Sequence, residues 1–169
     1  MLEDLLKSLE LGYFEIGEAF KGLANENVWK RPSPELLSVG ELAGHVAYWE
    51  AVRMAVEPGE GGSRPDLAKC KVKSPLVDER FAYYSSSLNT KPTRGHLEMT
   101  ADQVHQELVR VHQESVACLR AMSPDLKSSP PAWGSNFEEY LRYAAFHVAY
   151  HTGQMYSARH LLGEETVDN

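Results

Sequence analysis

Three histidines occupy positions where a helix should be apolar. His147 and His151 are four residues apart, so on a helix their side chains differ by about 40° around the axis and stack one turn apart. Ala144 and Met155 continue the same stripe, which turns that face toward a core. His45 interrupts a second seam, Leu42, His45, Trp49, Val52 and Val56, at 3-4-3-4 spacing. With seven histidines in 169 residues, about 0.3 pairs at spacing four arise by chance, so the pair alone is weak evidence. The third histidine on another inward seam strengthens it. A buried imidazole without a partner costs ~1–3 kcal/mol. A divalent transition metal satisfies three neutral imidazoles at once, through Nε2 or Nδ1 at ~2.0–2.1 Å. Separate hydrogen bonds from each ring to a tyrosine, a glutamine or a backbone carbonyl would satisfy them too, and spacing leaves both solutions open.

Four helical segments must position these rings. The first carries Leu2, Leu5, Leu6, Leu9, Tyr13, Ile16, Phe20 and Leu23 and ends near Ala24-Asn25, before Arg31-Pro32-Ser33-Pro34. The second opens at Ser38 with Glu41 three residues on, a capping box, and stops at Pro58-Gly59. The third starts at Thr100 with Gln103 and places Val104, Leu108, Val111, Ser115, Cys118 and Met122 on one stripe. The fourth is expected to open at Ser135 with Glu138, and runs through Phe137, Tyr140, Leu141, Ala144, His147, Val148, His151, Met155, Ala158 and Leu162 to Gly163. Residues 57–99 are rich in Gly, Pro and Ser, with a short helix expected over Leu76 to Leu88. A connection this long covers or builds a site in most compact domains. No strand alternation or internal repeat competes. The expectation is an all-α protein, one four-helix-bundle domain over 1–169, with a long connection between helices two and three.

Composition narrows the function classes. Hydrophobic residues make up 43% and charged residues 24%, as in an ordinary globular protein. The net charge of −7 argues against nucleic acid or an anionic membrane surface as the main partner, since both need a cationic face. No apolar run approaches the ~20 residues of a spanning helix. The N-terminal stretch mixes acids with leucines and does not read as a signal peptide. Cys70 and Cys118 are far apart with no CxxC, which reads as a reduced, cytoplasmic chain; Cys118 falls in the apolar stripe and reads as a small buried hydrophobe.

The stretch Ser38-Val39-Gly40-Glu41-Leu42-Ala43-Gly44-His45-Val46-Ala47-Tyr48-Trp49-Glu50 resembles the second-helix motif of the DinB/YfiT-like proteins. The stretch His147-Val148-Ala149-Tyr150-His151-Thr152-Gly153-Gln154-Met155, closing with Leu161-Leu162-Gly163, looks like their fourth-helix HxxxHxGQ signature. The resemblance follows helix order across nearly the whole chain, while residues 57–99 match nothing in it. It implies a divalent metal, zinc or nickel, held inside a four-helix bundle by His45, His147 and His151. It also implies a small-molecule substrate: some relatives use a low-molecular-weight thiol such as bacillithiol or mycothiol for transfer or isomerisation, and others are taken for hydrolases. Self-association as a homodimer is common among them.

Three protein ligands leave a metal an open position, the arrangement of catalytic zinc. Neutral imidazoles leave the full +2 charge, enough to acidify a bound water or hold a thiolate. A general base is not evident. Gln154, on the histidine stripe, is a candidate for orienting a ligand or a substrate but takes up no proton near neutrality. Glu41 and Glu50 flank His45 at positions expected to face solvent or a neighbouring helix. Gly153 is read as permitting close helix packing, and Tyr83 and Tyr84 as candidates to close over the site. His105, beside the third helix's seam and sharing a face with His112, is a candidate fourth ligand; His96 and His160 are expected at the surface. Trp29, Trp49 and Trp133 read as core or end plugs, with an aromatic substrate platform as the alternative. The competing readings are a metal-dependent enzyme, a non-catalytic helical module with a structural or sensing metal, and a metal-free dimerising bundle.

Overall fold

A computed structural model describes residues 1–56, 66–83, 91–130 and 133–167. Among them the protein is all-helical: α1 (Leu2–Phe20), α2 (Val39–Met54), α3 (Arg94–Leu97), α4 (Ala101–Met122) and α5 (Phe137–Leu161), with one-turn 3-10 helices at Leu67–Lys69 and Glu79–Phe81. The four long helices pack pairwise, α1 against α4 and α5, and α2 against α4 and α5. None of the described helices is long and apolar enough to cross a membrane.

Helix starts follow the capping chemistry. Ser38 accepts from the Glu41 amide and Thr100 from the Gln103 amide, each in a reciprocal box. The start of α5 shifts by one residue from the expected Ser135: Asn136 caps it by accepting from the Glu139 amide. The Ser135 hydroxyl is instead engaged with the Glu139 carboxylate. Asn and Ser cap about equally well, so the side chain with the better local partner decided the boundary. Helix α1 ends at Phe20 rather than near residue 24, with Gly22 at φ +72° in the turn that follows.

The inward stripes meet as expected. Leu6, Leu9 and Ile16 of α1, Leu42 and Met54 of α2, Val104, Leu108 and Leu119 of α4, and Phe137, Tyr140 and Met155 of α5 are all buried. Cys118 is only half-buried at the edge of this core, whereas Cys70 is enclosed. The short helix expected over 76–88 is a single 3-10 turn, Glu79–Phe81, so far as the described residues reach; residues 84–88, and Tyr84 with them, lie outside these. That turn is nonetheless central, because it packs on α2 beside His45.

Candidate metal centre

His45 comes from the second turn of α2, and His147 and His151 from successive turns of α5. The two helices pack so that the three rings meet. His147 Nε2 lies 3.1 Å from His45 Nε2 and 3.1 Å from His151 Nε2. One ring nitrogen from each falls within 4.8 Å of the other two, an arrangement that could hold a metal ion. Two nitrogens bound at tetrahedral angles to one zinc-sized ion stand about 3.3 Å apart. The two 3.1 Å spacings are close to that value.

The opposite nitrogens fix the tautomers. His45 Nδ1 lies 2.8 Å from the carbonyl oxygen of Phe81, which can only accept, so Nδ1 carries the proton and Nε2 is a bare lone pair. His151 Nδ1 lies 2.7 Å from Gln154 Oε1, with the same consequence. Gln154 is itself oriented by its Nε2, which donates to Tyr150 Oη at 3.3 Å. Lone pairs from His45 and His151 thus converge with His147 Nε2, and a single proton on His147 can be shared with only one of them at a time. A cation at their meeting point satisfies all three. This is the tautomer-fixing partner shell that metal-bound histidines carry.

The local sequence makes this possible. A side chain at Gly44 would meet the Phe81 ring at 2.5 Å, so the glycine beside His45 lets Phe81 lie flat on α2 and bring its carbonyl to His45. The close contact between α1 and α5 falls at Gly12, where a Cβ would meet Val148 Cγ1 at 2.7 Å. Gly153, expected to serve that purpose, has open space around it, because its side of α5 is exposed.

Burial and the neighbouring rings keep the centre neutral. Burial first, then His151, holds His45 down at about 4, against the opposing Phe81 hydrogen bond; Arg53 adds to the lowering. Burial, His151, His45 and Arg53 hold His147 at about 3. His151 is lowered by burial, partly offset by Gln154. Neutral imidazole is the form that binds metal.

The other histidines have separate roles. His105 stacks on Phe20 at 5.2 Å and is not part of the cluster, so among the described residues the centre has three histidines and no fourth. His96, expected at the surface, is buried: its Nε2 reaches the Pro75 carbonyl at 2.8 Å and its Nδ1 accepts from the Thr93 amide at 2.9 Å. Its Nδ1 also closes the capping box of a four-residue helix. His160 meets Thr166 Oγ1 at 2.8 Å near the end of α5. Both candidate acids are buried in protein partnerships. Glu41 binds Arg31 and closes the Ser38 cap. Glu50 faces the neighbouring helices, taking a 3.0 Å hydrogen bond from Tyr13 Oη and sharing a 2.6 Å one with His112 Nδ1. Sequence reasoning missed that second polar cluster, although the three-helix match of Tyr13, Glu50 and His112 on inward positions was a readable signal.

Residues 12–155 match the DinB superfamily. The chain belongs to that family. The match includes all three histidines and the intervening 3-10 turn that orients His45. No curated protein and no solved structure matches the chain significantly.

Proposed function

We propose that this DinB-superfamily protein is a metal-dependent enzyme acting on a small molecule, built as one four-helix-bundle domain in the cytoplasm. The observation that carries the reading is the convergence of three imidazole Nε2 atoms, with two of the three Nδ1 atoms already engaged. His45, His147 and His151 are the ligands, and the ion is zinc or nickel, as the family resemblance implies; imidazole donors suit both. When bound, the ion supplies an electrophilic open position for a thiol or a water. Gln154 and the Phe81 carbonyl hold the rings in the binding tautomer, while Tyr143 stacks on His147 with ring centroids 5.6 Å apart. No carboxylate of this chain is assigned as a general base, because Glu41 and Glu50 are committed elsewhere. This favours chemistry in which the nucleophile arrives with a low proton affinity, as a low-molecular-weight thiol does, over hydrolysis.

A second reading, a structural or sensing metal, draws on the narrowness of the cleft beside His147, whose volume is only about 10 Å³. Metal analysis of purified protein, X-ray absorption at the metal edge and an activity screen with bacillithiol-type cosubstrates, with and without chelator, test both. One equivalent of ion with three nitrogen ligands and an exchangeable fourth, plus chelator-sensitive turnover, is the expected result. A protein side chain in the fourth position supports the second reading, and purification without metal after supplementation overturns both.

A further inference from the structure

Among the described residues, His147 is the centre histidine whose far nitrogen has no protein partner. His45 Nδ1 meets the Phe81 carbonyl and His151 Nδ1 meets Gln154, whereas the hydrogen bonds of His147 all run through its Nε2. A metal on Nε2 leaves the ring proton on Nδ1, and metal-bound imidazoles almost always donate that proton to a carboxylate, a carbonyl or a water. His147 is also the only one of the three that lines a small cleft between α2 and α5. The two nitrogens of an imidazole point apart, so a ring whose Nε2 is turned to the centre turns Nδ1 away from it. Val46, Ala144 and Val148 give the cleft apolar walls, and Glu50 and Arg53 bring charge to it. Its volume is about 10 Å³, room for one water and for nothing larger.

A buried water also needs two to four polar partners. Arg53 supplies one. It is 9% exposed in the last turn of α2, and its guanidinium carbon lies 4.2 Å from the Trp49 ring centroid, 4.7 Å from Trp133 and 5.4 Å from Tyr140. Such contacts occupy the faces of a guanidinium and leave its in-plane N–H edge, where Nε is buried with no hydrogen-bond partner. Glu50 supplies another. It precedes Arg53 by three residues on the same helix, a spacing that puts the two side chains on one side. Its carboxylate takes Tyr13 on one oxygen and His112 on the other, which leaves a lone pair on each. A water in the cleft accepts from Arg53 Nε and His147 Nδ1 and donates to Glu50, three hydrogen bonds, the usual number for a buried water.

We propose that one buried water, held in this cleft by Arg53 and Glu50, accepts the hydrogen bond of His147 Nδ1 and so fixes the third imidazole in its metal-binding tautomer. Arg53 and Glu50 are positioning residues in this arrangement. The water site stands on the cleft alone; its effect on the ion rests on the metal-enzyme reading.

Ala144→Val separates the two, because it fills the cleft and alters no charge. In chelator-stripped protein, magnetic relaxation dispersion of the solvent counts long-lived waters, and Ala144→Val is expected to hold one fewer than the parent. In isotope-labelled, zinc-loaded protein, the His147 Nδ1 proton is expected to show a cross-relaxation peak to a bound water that the Nδ1 protons of His45 and His151 lack. Arg53→Met should abolish that peak, and Arg53→Lys, whose ammonium still donates, should retain it. The zinc affinity of Ala144→Val, read by competition with a chromophoric chelator, should fall about tenfold. Should either variant fail to fold by circular dichroism, the peak in the parent protein decides the water site on its own. Equal water counts, or a His147 proton with no water contact, overturns the water site. A peak that survives Arg53→Met overturns Arg53 as its holder. A lost water with unchanged zinc affinity overturns the positioning role. A protein that takes up no zinc, while Ala144→Val still loses the water, supports the water site and overturns the metal reading.

Discussion

Among the buried polar clusters of the described residues, two are built around histidine. In the first, Tyr13, Glu50 and His112 bring together α1, α2 and α4: Tyr13 donates to one carboxylate oxygen, His112 occupies the other, and the Tyr13 and His112 rings stack at 3.8 Å. Donors and acceptors balance, and burial together with the Glu50 charge keeps the Tyr13 phenol well above its ordinary pKa, so it stays a donor. In the second, His45, His147 and His151 direct ring nitrogens at one another while their far sides are already partnered at His45 and His151. Acceptors outnumber donors there. A buried network closed within the protein serves the fold. One whose ring nitrogens converge on a single point is an arrangement that could hold a metal ion.

The contrast predicts a dissociation between metal content and stability. The largest effect is expected from His147→Ala, since His147 is the ring in contact with both others. Metal affinity should fall by more than the ~10–100-fold that loss of an outer partner brings, read by competition with a chromophoric chelator. The stability of the stripped protein should barely change. Glu50→Ala should do the reverse. It strands the His112 ring and the Tyr13 hydroxyl in the core, so denaturant unfolding should show a loss of about 3–5 kcal/mol with metal stoichiometry unchanged. Equal loss of metal in both variants would erase the distinction between the clusters.

What the sequence made legible follows the same division. Helix limits set by local chemistry, such as Ser38 with Glu41 and Thr100 with Gln103, appear where expected. The histidine trio was legible because imidazole on an apolar stripe breaks a periodic pattern. The partner of His45 was not, because it is a main-chain carbonyl 36 residues away whose identity carries no side-chain signal. Glu50 is expected from spacing to face solvent or a neighbouring helix, but its partners Tyr13 and His112 are not legible because they lie on other helices, at separations of 37 and 62 residues. His96 went inward for a reason spacing does not contain: a long-range contact with Pro75.

The orienting residue sharpens the comparison at intermediate strength. Gln154→Ala leaves the His151 proton on Nδ1 without its acceptor, and metal affinity should fall about tenfold. Gln154→Glu, which offers a stronger acceptor, should restore or exceed the original affinity. A purely packing role for Gln154 would instead make the two substitutions equivalent.

The smallest expected effect is on pH dependence, and its sign follows from the depressed rings. In the unfolded chain histidines titrate near ~6.5. In the folded, metal-free protein His45 is held at about 4 and His147 at about 3, burial being the main cause in each. Between those values the unfolded chain binds protons that the folded protein refuses, so stability is fully present above about pH 6.5 and is lost as pH falls toward 4 and below. The urea midpoint of stripped protein should therefore drop between pH 7.5 and pH 5. In His147→Ala one of the refusing rings is gone and the two survivors repel less when charged, so the drop should be shallower. Glu50→Ala leaves the trio intact and should keep the full pH slope of the parent protein, displaced to lower stability throughout. A slope unchanged by His147→Ala would mean that the trio's protonation is not what folding opposes, and the lone pairs would then have no claim on a cation.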